Sequence, residues 1–181
     1  MNVILFLLAL LTVLGDALLL WFLTDWVFTR LFKKKHILVP KFLVSFLSNN
    51  SLTLAFLVAL FSTLASLFLS EIAQFPPCKF CWFQRIFMYP QVILLGIATI
   101  QNDFSVKTYS IPLSVIGLSI AIYHYILQVV PLSTSCSNEV VNCALKQFTF
   151  FGYITIPVMS ATGFGLILLL MMLQKRIKTS R

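Results

Sequence analysis

Long apolar runs separated by short polar breaks dominate this chain. The runs extend over about Val3–Phe28, Leu52–Leu69, Ile86–Ile100, Tyr109–Val130 and Tyr153–Leu173. Each approaches or exceeds the roughly 20 apolar residues that a helix needs to cross a bilayer. Lipid offers the backbone no hydrogen-bond partners, and the runs are too long for barrel strands, so all five are expected to be α-helical. The break Ser48-Asn49-Asn50-Ser51 supplies capping residues ahead of the second span. Pro131 is placed to end the fourth. The first run reads as a span rather than a cleaved leader, because no basic residue follows Met1-Asn2 and no small-residue cleavage site closes it. Between the first two spans, the apolar stretch Ile37–Leu47 is broken by Pro40 and Lys41, and either lies along the membrane interface or packs as a loop on the helix ends.

Composition turns this pattern into an exclusion. Of 181 residues, 60% are hydrophobic and 10% charged, and the mean hydropathy is +0.99. Soluble domains carry about 25% charged residues. A soluble enzyme, a disordered chain and a secreted disulfide scaffold are therefore excluded, and five spans leave no room for a separate soluble domain. The net charge of +8 would suggest nucleic acid on a soluble protein. Here it reports orientation, and no nucleic-acid partner is expected. Arg30, Lys33, Lys34, Lys35, Lys41, Lys107, Lys175, Arg176, Lys178 and Arg181 fall on one side by parity, against Lys79, Arg85 and Lys146 on the other. Ten basic residues against three place the C-terminus in the cytoplasm, and the N-terminus and the loops after spans two and four outside it.

All four cysteines lie in those outer loops, where disulfides persist. Cys78 and Cys81 form a C-x-x-C just after span two; Cys136 and Cys143 follow span four. Adjacency favours 78–81 and 136–143 as resting pairs among the three possible pairings. A four-cysteine zinc site and a pair of structural staples remain open on spacing alone. However, C-x-x-C closes too small a loop to gain much loop entropy, and two pairs on the oxidising face suit dithiol–disulfide exchange better. Cys81, Gln84 and Arg85 share one face if the third helix starts here, so that Arg85 favours a Cys81 thiolate. On span four, His124 and Gln128 are four residues apart and share a face, roughly 10 Å below the outer edge at 1.5 Å per residue. An interhelical hydrogen bond is the bland alternative for His124, and lipid anchoring for Arg85 and Trp82. Asp16, inside span one, is unusual and has no evident partner.

The string Pro77-Cys78-Lys79-Phe80-Cys81-Trp82-Phe83-Gln84-Arg85-Ile86-Phe87-Met88-Tyr89-Pro90 resembles the signature of the DsbB/BdbC family of membrane disulfide-forming proteins, in its BdbC-like branch. His124-Tyr125-Ile126-Leu127-Gln128 and Phe151-Gly152-Tyr153-Ile154-Thr155-Ile156-Pro157 are similar in the same order. The resemblance covers about residues 52–173. It implies an all-α membrane protein in which residues 51–174 form a four-helix transmembrane bundle. An extra transmembrane helix and basic loop (1–50) precede the bundle, and a basic tail (175–181) follows it. It further implies a thiol:quinone oxidoreductase of the bacterial inner membrane that reoxidises a DsbA-like thioredoxin-fold partner and uses ubiquinone or menaquinone. Cys136 would meet the partner, Cys143 and Cys78 would relay, and Cys81 would donate to quinone. Arg85, Gln84, His124 and Gln128 would handle the quinone or its protons. A vitamin-K-epoxide-reductase-like redox protein is the nearest rival, and a non-enzymatic metal-binding protein a more distant one. Three features depart from the family pattern: the extra first span, the short six-residue separation of Cys136 from Cys143, and Gln84 where some members have an acidic residue.

Overall fold

The computed structural model describes residues 2–32, 40–130, 143 and 146–174. Among these the fold is all-helical apart from one isolated bridge. The elements are α1 (Asn2–Phe32), α2 (Lys41–Asn49), α3 (Ser51–Leu67), α4 (Lys79–Gln101), α5 (Lys107–Val129) and α6 (Ile156–Leu173). Helix α3 runs on through a π turn at Phe68–Ile72, and a 3₁₀ turn at Phe104–Val106 leads into α5. Among the described residues, five helices are long and apolar enough to cross a membrane, as the sequence pattern requires.

Helices α3 to α6 pack in chain order as an antiparallel four-helix bundle, α6 returning beside α3. Helix α1 lies outside the bundle along α6. In lipid, association depends on close packing rather than on escape from water, so small residues matter. Gly117 of α5 receives the Phe164 ring of α6 so closely that any Cβ there would collide with it. Ala55, Ala59 and Ala98 are buried on the facing surfaces of α3 and α4. Leu95, Phe164, Ile167 and Met171 fill the half of the bundle remote from the cysteines. A polar clamp ties α5 to α4: Ser110 and Ser114 of α5 donate to Gln91 Oε1 of α4 at 2.9 and 3.0 Å.

Several boundaries differ from the sequence reading. The third span begins at Lys79, seven residues before Ile86, so the C-x-x-C sits at the start of the helix. Gln84 and Arg85 break the apolar run, but each has a polar partner inside the protein, so the helix carries them without exposing unpaired groups to lipid. The last helix starts at Ile156 rather than Tyr153, because Phe151 and Gly152 adopt left-handed backbone and Phe150 pairs with Ile154 across the turn. Asn50 makes no side-chain cap for α3. Its Nδ2 instead donates to Phe46 O at 3.0 Å, closing the end of α2. The stretch around Pro40 and Lys41 is a helix, α2, packed against α6 and α3 with Phe42 81% exposed; residues 37–39 lie outside the described residues.

Candidate active site

The site forms at the end of the bundle where α3 finishes, α4 and α6 begin, and α5 ends. Cys78 occupies the N-cap position of α4, and its carbonyl accepts from Trp82 N–H at 3.2 Å. Cys81 follows in the first turn, at the positive end of the helix dipole. The Cys78 thiol donates to Cys81 Sγ at 3.3 Å. The pair stands here as two thiols in contact rather than as the expected 78–81 disulfide. The bond to Cys81, then burial, pushes the Cys78 thiol up to about 12. Cys78 holds its proton, and Cys81 is the accepting sulfur.

His124 is buried behind this pair. Gln84 Nε2 lies 3.1 Å from its Nδ1, and Cys143 O lies 3.2 Å from its Nε2. With Gln84 donating, one tautomer satisfies both contacts: Nδ1 accepts and Nε2–H donates. Nε2 also lies 3.6 Å from Cys78 Sγ. The Phe80 ring packs on His124 and edge-on against Tyr123, at 5.6 and 5.4 Å between centroids, and fixes the imidazole. The order His124, Cys78, Cys81 is thus a continuous line of polar contacts. Arg85 takes a different direction. Its Nε donates to Ser66 Oγ and its Nη2 to Ser66 O, both at 3.0 Å, and its guanidinium lies 5.3 Å from the Trp82 ring centre. Among the described residues, two of its five N–H donors are engaged this way.

Two cavities meet at Cys81. The larger, of about 200 Å³, is lined by Cys81, Gln84 and Arg85 of α4 and by apolar residues of α1, α3 and α6. The smaller, of about 10 Å³, is lined by Cys78, Cys81, His124, Gln128, Cys143 and Thr155. Gln128 Oε1 and Thr155 Oγ1 are buried without protein partners, the kind of oxygen that holds an ordered water. Gln147 and Ile156 border both spaces, and Gln147 Nε2 is tied to Pro76 O at 2.7 Å.

Of the residues singled out from sequence, Cys78, Cys81, Cys143, His124 and Gln128 share the small chamber, whereas Gln84 and Arg85 line the large one. His124 and Gln128 do not reach the large cavity. Cys136 and Pro131 lie outside the described residues. Asp16 does have partners: Thr162 donates to its Oδ1 at 2.5 Å and Tyr153 to its Oδ2 at 3.5 Å. Ser66 was missed, although Ser62, Ser66 and Ser70 recur every fourth residue and all line the large cavity. Cys78, Cys81 and His124 also place one ligand atom each within 4.8 Å of one another, a set able to hold a soft metal ion.

The sequence profile of the family described as "Disulfide bond formation protein DsbB" matches residues 48–174. Disulfide bond formation protein C of Bacillus subtilis is 45% identical over 127 residues, covering 69% of this chain and 92% of the relative. The probable disulfide formation protein of Coxiella burnetii is 40% identical over 139 residues, covering 72% and 95%. That of Chlamydia trachomatis is 38% identical over 136 residues, covering 75% and 100%. No solved structure matches the chain. Helix α1 lies wholly outside the profile match.

Proposed function

The chain belongs to the DsbB family of disulfide bond formation proteins and is a multi-pass membrane oxidoreductase; from that premise we propose that it reoxidises a DsbA-like thioredoxin-fold partner and delivers the electrons to a membrane quinone. The observation that carries this reading is the position of Cys81 on the wall between the two cavities. In the small chamber it can exchange with other cysteines. In the large cavity it faces a ring-sized, mostly apolar space beside a guanidinium. A dry cavity of about 150 Å³ takes up benzene, so this one has room for a substituted ring.

The partner's thiolate attacks Cys136 of a Cys136–Cys143 disulfide, forming a mixed disulfide and releasing Cys143. The partner's second thiol then resolves it, leaving the partner oxidised and Cys136 and Cys143 reduced. Exchange with a Cys78–Cys81 disulfide restores the outer pair and reduces the inner one. His124, within contact of Cys78 and of the Cys143 backbone, holds or moves the exchange proton. Gln128 and Thr155 supply acceptors for a proton-carrying water. A quinone, ubiquinone or menaquinone, would sit in the large cavity beside Cys81 and would supply a two-electron, two-proton acceptor for the Cys78 and Cys81 thiols. Arg85 and Gln84 orient its oxygens and stabilise developing negative charge. The cysteine end of the bundle faces outward and the C-terminus the cytoplasm, with ten of thirteen basic residues on the inner side.

The test uses purified full-length protein in proteoliposomes, a reduced thioredoxin-fold oxidase and a soluble quinone. One quinone should be consumed per partner disulfide formed. A second reading, supported by the Cys78–Cys81–His124 cluster, is a metal-binding protein. Stoichiometric zinc on the purified protein, with no quinone consumption, would establish that reading and remove the first.

A further inference from the structure

The large cavity is not made by the four-helix bundle alone. Leu8, Leu11 and Thr12 of α1 form part of its wall, opposite Cys81 and Arg85 of α4 and beside Ser62 and Ser66 of α3. All three α1 residues precede the family match. Helix α1 is also locked onto α6 in a manner unusual for a peripheral span. Thr162 donates to Asp16, and Tyr153 reaches the same carboxylate. Gly15 lies so close to Thr162 that a Cβ there would come within 2.6 Å of its methyl, and Leu19 packs within 2.9 Å of the corresponding point on Gly165. The Phe6 ring meets Phe151 at 5.9 Å. These contacts fix both the depth and the rotation of α1, and with them the face it turns to the cavity.

We propose that α1 completes the quinone pocket of this protein and sets its fit for the ring and the first part of the tail. This rests on the quinone reading given above. The chemistry of the wall defines the role. Thr12 is buried and gives its hydroxyl proton to Leu8 O at 2.8 Å, so α1 contributes mainly apolar surface and no free hydrogen-bond donor. Polar contacts to the ring come from α4, and α1 closes over the ring's apolar face. The pocket opens sideways where Leu11 and Phe61 both line it while remaining 59% and 65% exposed. That gap between α1 and α3 faces lipid, the phase in which an isoprenoid quinone is dissolved. Asp16 is a positioning residue: it acts through Thr162 on the seat of α1.

The test reads binding as well as turnover, on the full-length protein. A photoreactive quinone is cross-linked and the labelled peptide identified, and the dissociation constant of a short-tail quinone is measured by tryptophan fluorescence quenching. Label is expected on residues 8–12 as well as on α4. Leu8→Trp and Leu11→Trp, which fill the cavity, should weaken quinone binding about tenfold or more, a shift of about 1.4 kcal/mol. Both should form the mixed disulfide with the partner at the wild-type rate. Leu20→Trp, on the lipid face of α1, should bind quinone normally. Asp16→Ala should weaken binding and Asp16→Asn, which keeps an acceptor for Thr162, should restore it. Label confined to α4, with unchanged affinity in both tryptophan variants, would overturn the role of α1 and leave the quinone reading standing. Failure of the wild-type protein to bind or consume quinone would overturn both.

Discussion

The two cavities that meet at Cys81 differ in size, lining and origin. The small chamber is built around His124, Gln128 and Thr155 and gathers three of the four cysteines. The large cavity is mostly apolar, draws its walls from four helices and holds one anchored cation, Arg85. A chamber with room for about one water suits proton movement between sulfurs. A ring-sized apolar space suits a lipid-soluble acceptor. The difference shows how one bundle end can run two exchanges without mixing them: only a sulfur on the shared wall belongs to both.

Removing that sulfur should break the division most severely. Cys81→Ala is expected to abolish quinone reduction and to stop partner oxidation after one disulfide per protein, with Cys136 and Cys143 left as thiols, read by alkylation and gel shift. An unchanged quinone reduction rate would refute the assignment of Cys81. Next in size is a pH effect confined to the small chamber. With Cys78 at about 12, chiefly through its bond to Cys81, its thiolate fraction at pH 8 is roughly a thousandfold below that of a thiol at 9.0. Iodoacetamide should therefore label Cys78 slowly in the reduced protein up to pH 10, and much faster at pH 8 in Cys81→Ala. The sign for stability follows: a raised value gives the reduced protein a contribution that is complete below 9.0 and is lost as pH climbs toward 12. Equal labelling in both proteins would contradict the Cys78–Cys81 bond.

Two substitutions should separate the chambers kinetically. His124→Phe, which removes the contacts to Gln84 and Cys143 O, should slow thiol–disulfide exchange by about 100-fold and leave the KM for quinone little changed. Arg85→Ala should do the reverse. Loss of a charged donor, worth about 1.5–3 kcal/mol, should raise the quinone KM roughly 10- to 100-fold while mixed-disulfide formation proceeds normally. If both variants altered both steps equally, the two cavities would be one functional site.

Residues of the small chamber were legible in the sequence because each announces itself. A C-x-x-C beside a helix start and a lone His inside an apolar run are rare enough to stand out, and contact among them needed only the bundle to form. The large cavity was hardly legible. Most of its wall consists of Leu, Phe, Met and Ser residues that any membrane helix carries, and only three-dimensional packing separates those lining it from those facing lipid. Arg85 stands beside Cys81 on the wall of the large cavity, as the i, i+4 spacing suggests, but its hydrogen bonds go to Ser66, nineteen residues earlier, a pairing no local pattern contains. Helix positions followed from apolar run length, whereas the starts of α4 and α6 did not. Polar residues satisfied across helices hid the first, and a left-handed turn at Phe151 and Gly152 delayed the second. Asp16 was conspicuous by sequence, but its purpose needed Thr162, which lies on a helix remote in the chain.

The central claim is that Cys81, shared by the two cavities, hands the electrons of the inner pair to quinone. A single-turnover experiment tests it directly. Fully reduced protein is mixed with one equivalent of quinone, quinone absorbance is followed, and the product is digested and mapped by mass spectrometry. The expected result is one quinone consumed per protein with a Cys78–Cys81 disulfide as the first product. Quinone left unreduced, or a first disulfide that excludes Cys81, would contradict it.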